Sequence, residues 1–125
     1  MGRNWLQFNP RRTPIVSVRI PPDRYRALID TGADVSLIGP ELSLRLDLPS
    51  IGTQIIVDLS GNRQVLQAVQ LPPIGFGNID LDPCRAAISQ VSRLGLPIEL
   101  ILGVNAFAGH RLQLDFIDGR IYIVQ

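Results

Sequence analysis

Ala27-Leu28-Ile29-Asp30-Thr31-Gly32-Ala33-Asp34-Val35-Ser36-Leu37-Ile38 is the stretch on which the reading of this chain turns. Three apolar residues run straight into an aspartate, at the end of what reads as a buried strand. An ionised carboxylate there is costly unless it is hydrogen-bonded or paired. Thr31 supplies a hydroxyl for local bonding. Gly32, lacking a Cβ, permits a tight turn that lets backbone N–H groups approach the carboxylate. A bare Asp-Thr-Gly is also what an ordinary capped turn looks like. Length separates the two readings, because an apolar triplet, Asp-Thr-Gly-Ala, a second acid, Ser and a further apolar pair form a much longer pattern than a chance three-residue match.

The rest of the composition narrows the chemistry. A chain of 125 residues that is 46% apolar is the size of one domain with one core. Twelve basic residues, all arginine, face eleven acidic ones, and a net charge of +1 gives no ground for a nucleic-acid or membrane partner. The absence of lysine removes Schiff-base mechanisms. One cysteine (Cys84) and one histidine (His110) argue against a disulfide framework, a Cys/His zinc site and any Cys-His or Ser-His-Asp catalytic group from one chain. Carboxylates are left as the leading candidates. No apolar run is long enough to span a bilayer and the first residues lack the apolar stretch of a signal peptide, so a soluble, cytoplasmic protein is expected, or a domain of a longer one.

Outward from the central stretch, scattered Pro and Gly punctuate short segments rich in Ile, Val and Leu, which predicts a mostly β chain. Strands are expected at Pro14–Ile20, Arg24–Asp30, Gln54–Leu59, Gln64–Leu71, Phe76–Leu81, Cys84–Val91, Ile98–Leu102, Arg111–Phe116 and Arg120–Val124. Two short helices are expected. One begins after Gly39-Pro40, with Leu42, Leu44, Leu46 and Leu48 supplying apolar contacts, and the other covers Val104–Ala108. Hairpin turns are expected at Pro21-Pro22-Asp23, Ser60-Gly61-Asn62 and Asp118-Gly119, the middle one closing a long hairpin with a small, flexible tip. Residues 1–12 read as an N-terminal arm, docked or serving as an interface strand, ahead of a domain at 13–125. Glu99-Leu100-Ile101-Leu102-Gly103 weakly echoes Ala27–Gly32, as a second apolar strand that runs into a glycine.

With both elements in order, the chain resembles the retropepsin-like aspartic proteases, the retroviral proteases and their cellular and bacterial single-domain relatives. The resemblance begins near Arg12-Thr13-Pro14-Ile15-Val16-Ser17-Val18, passes through Ala27–Ile38, places the long hairpin around Gly61 where the family has its flap, and resumes at Ile101-Leu102-Gly103-Val104-Asn105-Ala106-Phe107. It implies a closed acid-protease β-barrel with one or two short helices, and a homodimer whose single active site lies on the twofold axis. It implies Asp30 as the catalytic aspartate, Thr31 as a grip between the two motif loops, and Gly32 as the source of the turn and of backbone donors. It implies Ala33 and Asp34 as lining of the substrate cleft, Gly61 at the flap tip, and neither cofactor nor metal. The activity implied is aspartic endopeptidase on a peptide or protein substrate, the partner carboxylate coming from a second copy. The alternative is a catalytically silent dimerisation or peptide-binding module in which Asp30 serves interface hydrogen bonds. Val104 stands where retroviral members carry an Arg that anchors the loop acid, and Thr13 stands where they carry another, with Arg12 one residue earlier.

The remaining polar residues have plainer readings. Asp115 reads as an outward-facing strand carboxylate, Asp80 and Asp82 as an exposed strand edge, His110 as a helix-end residue, Cys84 as a half-buried thiol, and Arg11-Arg12 as solvated charge.

Overall fold

The computed structural model describes residues 3–124, so Met1 and Gly2 of the arm and Gln125 at the end of the last run lie outside the described residues. Twelve strands and one α-helix follow in the order β1 (Trp5–Gln7), β2 (Ile15–Ile20), β3 (Asp23–Ile29), β4 (Ser36–Ile38), α1 (Pro40–Leu46), β5 (Ser50–Val57), β6 (Arg63–Leu71), β7 (Ile74–Phe76), β8 (Ile79–Leu81), β9 (Cys84–Ile88), β10 (Leu100–Leu102), β11 (Arg111–Asp115) and β12 (Arg120–Val124). Nine strands join in the order β5-β6-β9-β4-β10-β3-β2-β7-β8, and the other three in the order β1-β12-β11.

The alternation visible in the sequence sets the faces. Val16, Val18 and Ile20 of β2 are buried while Ser17 between them is exposed. The main core gathers the inward residues of both sheets, with Phe76 and Phe107 meeting edge to face at 5.9 Å between ring centres. A smaller cluster of Leu28, Val91, Ile98 and Ile101 is separate from it. β1 pairs with β12, and Phe8 just beyond it is buried in the main core.

β3 and β4 are neighbours in sequence but not in the sheet. β10 runs between them, parallel to β3 (Ile101 opposite Leu28) and antiparallel to β4 (Ile101 opposite Leu37). The loop from Asp30 to Val35 therefore has to arch over the end of β10.

Several expected elements change. The run Phe76–Leu81 is two strands, because Gly77 takes a positive φ of 62° and the chain reverses there, with Asn78 N–H donating to the Arg3 carbonyl at 2.8 Å. Cys84–Val91 ends at Ile88, and Val91–Leu94 forms a 3-10 turn instead. The late helix is likewise a single 3-10 turn, Val104–Phe107. α1 starts at Pro40 as expected, but Leu44 is 83% exposed, whereas Leu42 is buried and Leu46 packs on the core. Alternate residues on a helix turn through about 200°, so leucines at every second position cannot share one face, and the i, i+4 pair takes the inside. β1 docks the arm against β12 of the same chain, and the three-residue β4 is a strand that the sequence pattern does not mark.

Candidate active site

Asp30 is the first residue after β3, and its N–H donates to the Leu102 carbonyl of β10 at 3.0 Å. The chain then turns: Ala33 N–H donates to the Asp30 carbonyl at 3.1 Å, and Gly32 N–H donates to Asp30 Oδ1 at 2.9 Å. Among the described residues no other donor is bonded to this carboxylate, and Asp30 is half-buried. One oxygen is thus held by backbone, and the other carries no hydrogen bond among the described residues.

The loop is clasped from the other side by the segment after β10. Val104 N–H donates to the Ala33 carbonyl at 2.8 Å. Asn105 Oδ1 accepts from both the backbone N–H and the hydroxyl of Ser36, at 2.9 and 2.8 Å, while its Nδ2 donates to the Arg85 carbonyl at 2.7 Å. Ser36 Oγ in turn accepts from Gly103 N–H at 3.0 Å. Gly103 is required by proximity: a Cβ there would lie 2.5 Å from the Ala33 carbonyl oxygen. The apolar-apolar-Gly element that the sequence marks as an echo is therefore the second half of one clasp.

The six site candidates fall in two places. Asp30, Thr31, Gly32, Ala33 and Asp34 share the β3–β4 loop, with Thr31, Gly32 and Asp34 exposed and Ala33 half-buried. Gly61 lies at the tip of the β5–β6 hairpin, and among the described residues no hydrogen bond joins it to that loop. The ion pair among the described residues is Arg19 with Asp80 at 3.4 Å, so Asp34 has no such partner there.

The hairpin tip is tied more firmly than its small residues suggest. Asp58 Oδ1 accepts from Ser60 N–H (2.9 Å), Ser60 Oγ (2.7 Å) and Asn62 N–H (2.9 Å), and Gly61 takes a positive φ of 86°. The Ser60 hydroxyl, then the Asn62 N–H, hold the Asp58 carboxyl below its ordinary range. Ile55, Val57, Leu59 and Val65 leave this hairpin with exposed apolar side chains. Asp115 does a similar task at the last turn, accepting from the N–H groups of Ile117 and Asp118. Burial pushes the Cys84 thiol up.

Sequence reasoning assigned no role to Ser36, Asn105 or Asp58. For Asp58 the signal was local, since Asp-x-Ser-x-Asn is a spacing at which one carboxylate reaches several turn donors. For Ser36 and Asn105 it was two short polar residues inside otherwise apolar runs.

Comparisons with known proteins give the family and the fold. The aspartyl protease family model matches residues 16–106. The fold is similar to that of a retropepsin-like aspartic protease from Rickettsia conorii, at a TM-score of 0.63 and 12% identity, covering 95% of this chain and 87% of the other. It is also similar to the simian foamy virus (mac) protease, at a TM-score of 0.52 and 17% identity, covering 75% of this chain and 91% of the other. Among curated proteins, none matches the chain in sequence. A loop that presents one backbone-held aspartate, clasped by an apolar-apolar-Gly strand within a retropepsin-like β fold, and a family match over most of the chain, place this protein in the aspartyl protease family.

Proposed function

We propose that the chain is a homodimeric aspartic endopeptidase that hydrolyses peptide bonds by general acid–base activation of water between two Asp30 carboxylates. The observation that carries this reading is the accessible Asp30 carboxylate, held at one oxygen by Gly32 N–H and supplied once per chain. Peptide hydrolysis of this kind needs a base to take a proton from water and an acid to protonate the carbonyl oxygen, and one carboxyl group cannot do both at once. A second copy related by a twofold axis supplies the other, and two adjacent carboxyls then share one proton as a coupled pair. Thr31, exposed beside Asp30, grips the partner loop, and Gly32 donates its N–H. Ala33 and Asp34 line the substrate cleft, and the β5–β6 hairpin with Gly61 closes over the bound peptide.

Among the described residues no helix is long and apolar enough to cross a membrane. Incubating the purified chain with a mixed peptide library at about pH 4–7, beside an Asp30→Asn variant, tests the proposal. Cleavage by the parent that the variant lacks supports it. A demonstrated dimer that cleaves nothing overturns it in favour of a silent dimerisation or peptide-binding module.

A further inference from the structure

We propose that the cavity between β2, β3 and the loop before β10 is a subsite for a carboxylate of the substrate chain. Its placement relative to the cleaved bond rests on the endopeptidase reading, whereas its affinity for a carboxylate does not.

The cavity has a volume of about 590 Å³, and two arginines, Arg12 and Arg26, contribute to its wall from separate segments. Ile15, Leu96 and Pro97 give it an apolar side, and Ser17 adds a hydroxyl. Its lining contains no carboxylate. Among the described residues neither arginine takes part in an ion pair, and both are exposed. The wall is fastened in place: Ser17 lies opposite Arg26 in the β2–β3 register, and Glu99 N–H donates to the Arg26 carbonyl at 3.0 Å, tying the loop to β3. Two like charges around one hollow repel each other until an anion sits between them, and guanidinium groups match a carboxylate in planar, paired hydrogen bonds. The apolar side suits the methylene carbons of an acidic side chain.

Arg26 lies on the strand that delivers Asp30, four residues upstream. At about 3.3 Å per residue, that separates them by roughly 13 Å along the strand. For an extended peptide running alongside β3, which advances at the same rise, an acidic residue held here sits about three to five positions from the bond poised at Asp30. A twofold dimer carries one such subsite on each side of the cleavage point.

The probes are decapeptides of Ala, Leu and Gln, amidated at the C-terminus, in which a single Glu is moved through the sequence. An all-Gln peptide and the same peptide with a free C-terminal carboxylate serve as references. Binding is read by fluorescence anisotropy on the full chain carrying Asp30→Asn, so that cleavage does not interfere, and the parent is assayed separately for cleavage. A Glu peptide should bind about fivefold more tightly than its Gln counterpart, an advantage that shrinks with added salt and disappears in Arg12→Gln and Arg26→Gln. Preference confined to the free C-terminal carboxylate supports the subsite and identifies a chain end as its source. Equal binding of Glu and Gln peptides overturns the proposal, as does a preference that survives both substitutions. A shift of the monomer–dimer equilibrium in the arginine variants also overturns it, since the guanidinium groups would then serve the contact between copies. A Glu preference in a parent that cleaves nothing leaves the subsite standing and removes the endopeptidase reading.

Discussion

The Ser36 hydroxyl donates to Asn105 Oδ1 at 2.8 Å and accepts from Gly103 N–H at 3.0 Å, so one fully buried oxygen ties the two halves of the Asp30 clasp together. Replacing Ser36 by Ala leaves the Gly103 N–H without its acceptor and removes one of the two donors to Asn105. A loss of about 1–3 kcal/mol is expected from denaturant midpoints. Asn105→Ala breaks the bonds to Ser36 and to the Arg85 carbonyl together, and its loss should be larger than that of Ser36→Ala.

Two glycines beside the site should separate stability from catalysis. Gly103→Ala sets a Cβ 2.5 Å from the Ala33 carbonyl oxygen, which backbone has to yield to, and should destabilise the fold by about 1–3 kcal/mol. Gly32→Ala meets only the Asp30 carboxylate oxygen, at 3.2 Å. On the proposed function its melting temperature should stay close to the parent's while peptide cleavage falls, because the displaced group is the carboxylate assigned to the reaction. Thermal melts run beside a cleavage assay distinguish the two variants.

Activity should depend on protein concentration more steeply than linearly, since each chain brings one Asp30. Adding excess Asp30→Asn chain to the parent should suppress cleavage by forming mixed dimers, and the pure variant should lose about 10³-fold. A titration of variant into a fixed amount of parent, read as initial rate, checks this. Unchanged rates at a large excess of variant in exchanging dimers would rule out a shared site.

The tip of the β5–β6 hairpin should respond to acid. Asp58 is held below its free value of 3.8 by the Ser60 hydroxyl and the Asn62 N–H, so its ionised form favours the folded tip. That contribution is complete above the free value and is lost as pH falls through the lower, folded one. The Ser60 and Asn62 amide signals should therefore hold steady through mildly acidic conditions and shift together only below about pH 4. Asp58→Asn should abolish the coupled transition in an NMR pH titration.

Local features of the fold were legible before any coordinates. Pro40 after Gly39 marks the start of α1, and the alternation of Val16, Val18 and Ile20 marks the inward face of β2. The Asp30 turn was legible because Asp-Thr-Gly is flanked by an apolar triplet before it and by Ala, a second acid, Ser and an apolar pair after it, a longer pattern than an ordinary capped turn. What escaped was set by distant partners. β4 is three residues long and owes its strand character to β10 and β9 on its two sides, and neither is near it in sequence. β7 and β8 looked like one strand because the reversal at Gly77 is tied to Arg3, more than seventy positions earlier. The polar clasp escaped for the same reason: Ser36 and Asn105 are 69 residues apart, and each alone is an unremarked small polar side chain.

The passage of β10 between β3 and β4 has a consequence for synthesis. Asp30 leaves the ribosome long before Leu102, Gly103 and Asn105, the residues that fix its loop, and pairings of such sequence separation form slowly and late. A nascent or truncated chain thus carries the aspartate on an unsupported loop. The order of translation itself delays the fixing of that loop until the second half of the clasp has been made.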